Sequence, residues 1–181
     1  MFLGLKLPSD RWSIKCQVAR RLTHIKVLCT PRVPGLRSPY EKVGRLVYFG
    51  RMLDKIRLHA TGKPPEYQTN LGDAQPKFND GRCCRFLGIE YRAVVARTLQ
   101  GGTDEQILAW AHSHGTPRTD EECVVWNRFM TKAGWRDDRS ARLQQLVVEY
   151  GLAGKPIETV FDLFDYDEGR DPAAERPWLR I

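Results

Sequence analysis

Apolar residues recur with a helical period in the stretch that follows residue 37. The positions that share one face of a helix between residues 43 and 60 are Val43, Leu46, Val47, Phe49, Leu53, Ile56 and Ala60. Ser38 is a favourable N-cap, Pro39 suits the first helical position, and Glu41 completes a capping box. The pattern therefore predicts one long amphipathic helix from Ser38 to about Ala60, ended by Gly62.

Six further helices are indicated by caps, apolar periodicity and glycine stops. Two of them open with capping boxes, at Thr103 to Gln106 and at Thr119 to Glu122. The others are expected after Asn79 or Asp80, over residues 90–99, after Asp137 or Asp138, and across Ile157, Val160, Phe161 and Phe164. The connections are short. The sequence thus predicts an all-α protein, a single compact domain of about seven helices over residues 37–171, with a C-terminal tail at residues 172–181.

The excess of basic residues lies before this domain. Residues 1–37 carry eight lysines or arginines and one acid, whereas the remainder carries twenty-one residues of each sign. The net charge of +7 and the pI of about 9.3 therefore describe the extension and not the helical domain. We interpret residues 1–36 as a basic, weakly structured N-terminal arm that is flexible or not part of the domain. It could bind an acidic partner, act as a targeting extension, or be a leader foreign to the native protein, which we favour.

Hydropathy and cysteine usage indicate a cytoplasmic protein. No apolar run approaches the roughly 20 residues that span a bilayer, and Lys6, Pro8 and Asp10 interrupt any signal-peptide core. The five cysteines include no Cys-x-x-Cys pair, which favours free thiols over a disulfide framework or a zinc site. Cys83 has no identifiable histidine partner for nucleophilic catalysis. No phosphate-binding, dinucleotide-binding or hydrolase motif is present, so we expect no cofactor.

Two charged residues fall on the apolar side of the first predicted helix. On a helical projection Asp54 lies between Val43 and Val47, and Arg57 follows it by three residues, within contact distance. An unpaired buried charge costs several kcal/mol, so the two should pair or line a polar pocket. We favour an internal ion pair. The alternative is a pocket for a small anion with Arg51 and Arg57 as donors.

Other polar residues give weaker signals. The same projection turns Tyr48, Lys55 and His59 away from the apolar face. The acidic stretch at 162–171 departs from a calcium loop at its fifth and sixth positions. We therefore expect no metal site there, but a solvated acidic face that meets Arg170.

Several short words of the sequence resemble a known bacterial family. They are RSPYEKVGRLVYFGRMLDKIRLHATGK, EYQTN, RFLGIE, GGTDEQILAW, WN and FDLFDYDEGRD. Taken in order they cover residues 37–171 and are similar to a family catalogued only as a domain of unknown function. The resemblance leaves residues 1–36 outside the domain and implies no activity, ligand or catalytic residue. It marks two motifs. One contains Arg51, Asp54, Lys55 and Arg57, and the other contains Glu168, Gly169 and Arg170.

These observations support three functional hypotheses. The first is a non-catalytic module that binds a small anionic ligand or a protein partner. Its expected site consists of Arg51, Asp54, Arg57, Tyr67, Glu168 and Arg170. The second is an enzyme in which a buried Asp54 acts as general acid or base while arginines orient an anionic substrate. The third is nucleic-acid binding through the basic arm, which the charge distribution disfavours, and no membrane partner is expected.

Overall fold

The chain joins the folded body through a turn and a small hairpin. The computed structural model describes residues 33–62, 71–72, 75 and 77–170. Strand β1 (Lys42–Val43) pairs antiparallel with β2 (Leu46–Val47), and helix α1 (Phe49–Ala60) begins only after them. The predicted helical start at Ser38 is therefore wrong, and the first helix has 12 residues, fewer than expected.

The capping signal at Ser38 forms a turn and not a helix. The Ser38 N–H donates to Glu41 Oε1 at 3.3 Å, and the Glu41 N–H donates to the Ser38 carbonyl at 3.2 Å. Two residues with left-handed backbone then prevent a helix, Gly44 at φ 53° and Tyr48 at φ 71°. Gly44 takes the first position of the two-residue hairpin loop, where a positive φ is favourable for glycine. The polar groups of Ser38 and Glu41 thus bond to each other within a turn, and the chain continues into the hairpin.

The helical spacing of Val43, Leu46 and Val47 arises from this hairpin. Val43 pairs with Leu46 across the loop, and all three side chains are at most 2 % exposed. Asn127 accepts from the Val47 N–H at 3.0 Å and donates to the Arg45 carbonyl at 2.8 Å. A hairpin with a two-residue loop thus reproduces a periodicity that favours a helix in the sequence.

Six helices follow α1 in the described part of the chain, and the all-α class is confirmed. They are α2 (Asn79–Leu87), α3 (Tyr91–Leu99), α4 (Asp104–His114), α5 (Asp120–Lys132), α6 (Ser140–Glu149) and α7 (Val160–Asp167). The capping boxes predicted at Thr103 and Thr119 are both present. A further box, formed by Thr159 and Asp162, opens α7. The sequence pattern missed it because its third residue is aspartate, not glutamate or glutamine.

Two hydrophobic clusters hold these elements together. The larger one is centred on α1, whose Phe49, Met52 and Leu53 are fully buried. Around it α1 packs on α3, and the hairpin packs on α5. The smaller cluster joins α6, α7 and the segment between them through Leu143, Val147, Leu152, Ile157 and Leu163. Each large apolar side chain buried in this way contributes about 1.5–3 kcal/mol.

The folded body begins before the predicted boundary at residue 37. Val33 and Leu36 are 7 % and 3 % exposed. Residues 1–32 of the predicted basic arm and the predicted tail at 172–181 lie outside the described residues. Among the helices that the structure describes, none is both long enough and apolar enough to cross a membrane.

Loss of the buried cap of α7 should cost more than loss of a surface cap. The Thr159 hydroxyl caps α7 and also contacts the Tyr40 hydroxyl at 2.9 Å, whereas Thr119 caps α5 at the surface. We expect Thr119→Ala to lower the free energy of unfolding by about 1 kcal/mol, and Thr159→Ala by about 2 kcal/mol or more. Urea denaturation followed by circular dichroism measures both values. Equal losses would contradict a contribution from the Tyr40 contact.

Candidate functional site

Along residues 36–38, charged side chains make the backbone hydrogen bonds that a neighbouring strand would make in a sheet. The Leu36 carbonyl accepts a hydrogen bond from Arg170 Nη2. The Arg37 carbonyl accepts from Arg51 Nη1 at 2.8 Å, and the Arg37 N–H donates to Asp54 Oδ2 at 3.1 Å. Buried backbone groups need such partners, and the described residues offer this segment no sheet. Side chains of α1 and of the end of α7 therefore fix the chain where it meets the helical body.

These contacts belong to two groups of ion pairs, which the hydrogen bond from Arg51 to the Arg37 carbonyl joins and which together we call the ionic clamp. Its members are Arg37, Arg51, Asp54, Arg57, Asp104, Asp165, Glu168 and Arg170. Five of the six residues predicted as site residues lie in it, and the sixth, Tyr67, lies outside the described residues.

Asp54 pairs mainly with Arg37. The guanidinium of Arg37 donates from Nε to Oδ2 at 2.6 Å and from Nη2 to Oδ1 at 2.8 Å, a two-pronged contact. The expected contact with Arg57 is also present, but at a longer distance of 3.7 Å between Nη1 and Oδ1. The helical projection predicted Arg57, the partner that is nearer in the sequence. It missed Arg37, which lies 17 residues before Asp54 in the chain.

Asp104 links the two arginines at the edge of the clamp. It accepts from Arg37 Nη2 at 2.6 Å and from Arg57 Nη2 at 2.7 Å. Its position in the first turn of α4 also favours a negative charge. Burial alone would raise the pKa of Asp104, but the hydrogen bonds and charges of the two guanidinium groups outweigh it and leave that pKa below its usual value.

The other half of the clamp is fully buried. Arg51 donates from both terminal nitrogens to the Glu168 carboxylate, and Arg170 donates to the same carboxylate. Arg51 and Glu168 are 3 % and 2 % exposed. The solvated acidic face predicted here is therefore wrong, since Asp165, Glu168 and Arg170 all lie inside the protein.

Asp165 connects this buried half to Ser38. The Ser38 hydroxyl donates to Asp165 Oδ2 at 2.7 Å, and Arg170 Nη1 lies 3.4 Å from Oδ1. Burial raises the pKa of Asp165 to about 6, and the charge of Glu168 acts in the same direction. The hydrogen bond from Ser38 and the charges of Arg170 and Arg51 oppose the rise.

A separate buried ion pair joins α1 to α2. Lys55 Nζ lies 2.5 Å from Asp80 Oδ1, and the Tyr48 hydroxyl donates to the same oxygen at 2.8 Å. The Gly72 N–H donates to Asp80 Oδ2 at 2.9 Å. Burial lowers the pKa of Lys55, against the charge of Asp80, and it raises the pKa of the nearby Cys83 thiol well above its usual value. The prediction that Tyr48 and Lys55 face away from the core is therefore wrong.

Helices α2 and α5 form a different kind of polar site at the surface. The guanidinium carbon of Arg82 lies 5.6 Å from the ring centre of Phe129, a side chain that is 48 % exposed. The buried Nε of Arg82 has no hydrogen-bond partner among the described residues. Burial lowers the pKa of Arg82, and the charges of Arg139 and Arg85 lower it further. The charges of Asp138 and Asp137 oppose this shift, so three arginines share this surface with two carboxylates, and the Nε of Arg82 remains an unsatisfied donor among the described residues.

A metal centre is not built into the described residues. No group of three or more histidine, cysteine, aspartate or glutamate side chains in that part of the chain could hold an ion.

The buried half of the clamp should matter more for stability than its exposed edge. The side chain of Arg57 is 37 % exposed, whereas that of Arg51 is 3 % exposed. We expect Arg51→Ala to lower the free energy of unfolding by about 3 kcal/mol or more, because it removes a partner from a buried carboxylate. Arg57→Ala should cost about 1 kcal/mol or less. Chemical denaturation measures both, and a loss for Arg51→Ala no larger than that for Arg57→Ala would contradict this assignment.

Asp165 should make the protein less stable as the pH rises from about 4 to about 7. Its pKa is about 6 in the folded state and about 3.9 when unfolded, so the folded state holds the proton more tightly. That stabilisation is complete below the unfolded pKa and is lost as the pH rises through the folded value. The stability of Asp165→Asn relative to the wild type should therefore increase by roughly 2–3 kcal/mol over this range. Denaturation at several pH values measures the difference, and a constant difference would contradict the raised pKa.

Comparison with known proteins agrees with the resemblance in the sequence. A sequence model of DUF5069, described as a domain of unknown function, matches residues 33–170. The match begins at Val33, which is buried and is the first residue that the structure describes, and it includes the whole ionic clamp. No curated protein matches the chain. Because the matched span covers most of the sequence, the chain belongs to the DUF5069 family, a domain of unknown function.

Proposed function

We propose that this protein is a non-catalytic binding module for an anionic ligand, and that the ligand binds beside Arg82 where α2 meets α5. The observation that carries the proposal is the partly buried guanidinium of Arg82, whose Nε lacks a hydrogen-bond partner among the described residues. Because Nε itself is shielded from solvent, an anion would bind the outer nitrogens of this guanidinium, for which the described residues supply no carboxylate partner. The nearby positive charges of Arg85 and Arg139 would add to the attraction.

The ionic clamp is better suited to holding the fold than to receiving an anion. Together with the Lys55 pair, its five basic residues face five carboxylates. An anion that binds to Arg51 or Arg57 would have to displace Glu168 or Asp104. The contacts thus favour the internal ion pair over the anion pocket, the two interpretations that the sequence left open.

The geometry favours binding over catalysis at Asp54. Both of its oxygens accept hydrogen bonds from Arg37, and the side chain is 6 % exposed. A general acid or base must reach the proton that it transfers, within hydrogen-bond distance of a substrate. The enzyme hypothesis is therefore the weaker alternative. Nucleic-acid binding through the basic arm gains no support, since residues 1–32 are not among the described residues.

We also infer that this module acts in the cytoplasm of a bacterial cell. Support comes from Cys83, Cys84 and Cys123, which are buried free thiols. Disulfides are rare in the reducing cytosol, where such thiols persist.

Removal of Arg82 should weaken anion binding. Isothermal titration with inorganic pyrophosphate measures the affinity of the full chain. We expect Arg82→Ala to weaken binding by about tenfold or more, because a charge-assisted hydrogen bond contributes about 1.5–3 kcal/mol. Arg92→Ala, which removes an exposed arginine from α3, is the matched control and should bind as the wild type does.

Two results would contradict the proposal. One is equal pyrophosphate affinity of the wild type and Arg82→Ala. The other is a loss of binding in Arg57→Ala with Arg82→Ala unchanged, which would place the anion at the exposed edge of the clamp.

A further inference from the structure

A row of aromatic and cationic side chains lies beside the exposed ring of Phe129. Arg118 lies 4.9 Å from the ring centre of Phe86, which stacks on Trp126 with ring centres 4.6 Å apart. The ring of Trp126 lies 6.4 Å from that of Phe129 and is tilted by 43° to it, and the guanidinium of Arg82 lies over the Phe129 ring. Trp126 is only 5 % exposed, and its indole N–H donates to the Val47 carbonyl at 3.4 Å. The exposed ring therefore rests on a rigid support and loses little freedom when a ligand binds.

A second exposed aromatic residue follows the end of α5. Trp135 is 46 % exposed, and its ring centre lies 5.0 Å from the guanidinium carbon of Arg136 and 5.8 Å from Lys132 Nζ. Its turn is held by Asp137, whose Oδ2 accepts from the Gly134 N–H at 2.8 Å. The residue after Trp135 has left-handed backbone, with φ 52°. Such a conformation persists only where the surroundings fix it, so the backbone that carries this ring is held in place.

An open hollow adjoins this second ring. It has a volume of about 300 Å³ and lies between Trp135 and Arg136 on one side and Ser140 and Gln144 of α6 on the other, with Glu158 also at its wall. A flat ring with polar groups at its edge fits such a space, since the tryptophan offers a stacking face and the serine and glutamine offer hydrogen bonds.

Positive charge is concentrated around the two rings. The basic residues on or beside this surface are Arg82, Arg85, Lys132, Arg136 and Arg139. The acids beside it are Asp137, Asp138 and the exposed Glu158, and Asp137 already accepts from the backbone N–H groups of Gly134 and Arg139. Because residues 38–181 carry equal numbers of acids and bases, this excess is local to the surface.

We propose that this surface binds single-stranded nucleic acid, with bases stacked on Phe129 and Trp135 and phosphates held by the neighbouring guanidinium groups. This inference rests on the proposed anion site at Arg82 and assigns a class to its ligand. Single strands expose both the base faces and the phosphates that such a surface recognises. In a duplex the bases are already stacked, so the two rings would have no partner. An acidic peptide could pair with the arginines but would present no flat groups to the rings.

Aromatic-to-leucine variants test the stacking without a change in charge. Fluorescence anisotropy of a labelled 12-nucleotide oligothymidylate is measured with the full chain, beside the corresponding duplex and a glutamate 12-mer. We expect Phe129→Leu and Trp135→Leu each to weaken oligothymidylate binding by about tenfold, the usual effect of one stacked base. Leu99→Ala, which removes an exposed apolar side chain from α3, should leave it unchanged. The basic N-terminal residues are identical in all these variants, so their charges cannot produce the difference.

The salt dependence of oligothymidylate binding and the affinity for pyrophosphate distinguish this inference from the proposed function. The logarithm of affinity for a single strand should fall with the logarithm of salt concentration by about 0.7 for each phosphate contact, and Arg82→Ala should reduce that slope. If both leucine variants bind oligothymidylate as the wild type does, the stacking proposal is wrong, even where Arg82 still binds pyrophosphate. Binding of the glutamate 12-mer that depends on Phe129 would likewise overturn it in favour of an acidic peptide. If Arg82→Ala changes neither ligand's affinity, both the anion site and the nucleic-acid proposal fail.

Discussion

The contact between Arg37 and Asp54 sets the point at which the chain joins the helical body. Both oxygens of the buried carboxylate receive the guanidinium group, and one also receives the backbone N–H of the same residue. A carboxylate buried to this extent is costly without such partners, so the folded state requires Arg37 in place. Gly50 leaves the necessary room, because a Cβ atom there would lie only 2.5 Å from Arg37 Nη1. The hairpin and the start of α1 come next along the chain.

The clamp extends that constraint across the whole domain. Arg170 reaches the carbonyl of Leu36, 134 residues earlier, and Arg51 reaches Glu168, 117 residues later. Residues near both ends of the described domain, Arg37 and Glu168, are therefore bonded to the same helix, α1. The family match covers residues 33–170, and these contacts join the beginning of that span to its end. A unit joined in this way should fold and unfold cooperatively, since neither end can leave without exposing a buried charge.

In the function that we propose, stability and recognition occupy different parts of this molecule. Within the clamp each arginine faces a carboxylate, so little attraction remains for a ligand. At the surface of α2 and α5, by contrast, Arg82 keeps an unsatisfied nitrogen and shares its surroundings with Arg85 and Arg139. Charge that is matched inside a protein fixes the fold, whereas unmatched charge at its surface attracts partners. The sequence motifs that mark the family thus lie mainly in the ionic clamp, which holds the fold.

The sequence by itself determined the helices whose signals lie within four residues of each other. The capping boxes at Thr103 and Thr119 are of this kind, because a cap is a hydrogen bond between near neighbours. It also marked Asp54 as a charge on a buried face. Only the tertiary structure decided that Arg37 is its partner, that Lys55 is buried, and that the hairpin replaces the start of the first helix. The partners of these residues lie 17 or more positions away, and no local pattern specifies which distant segment will pack against them.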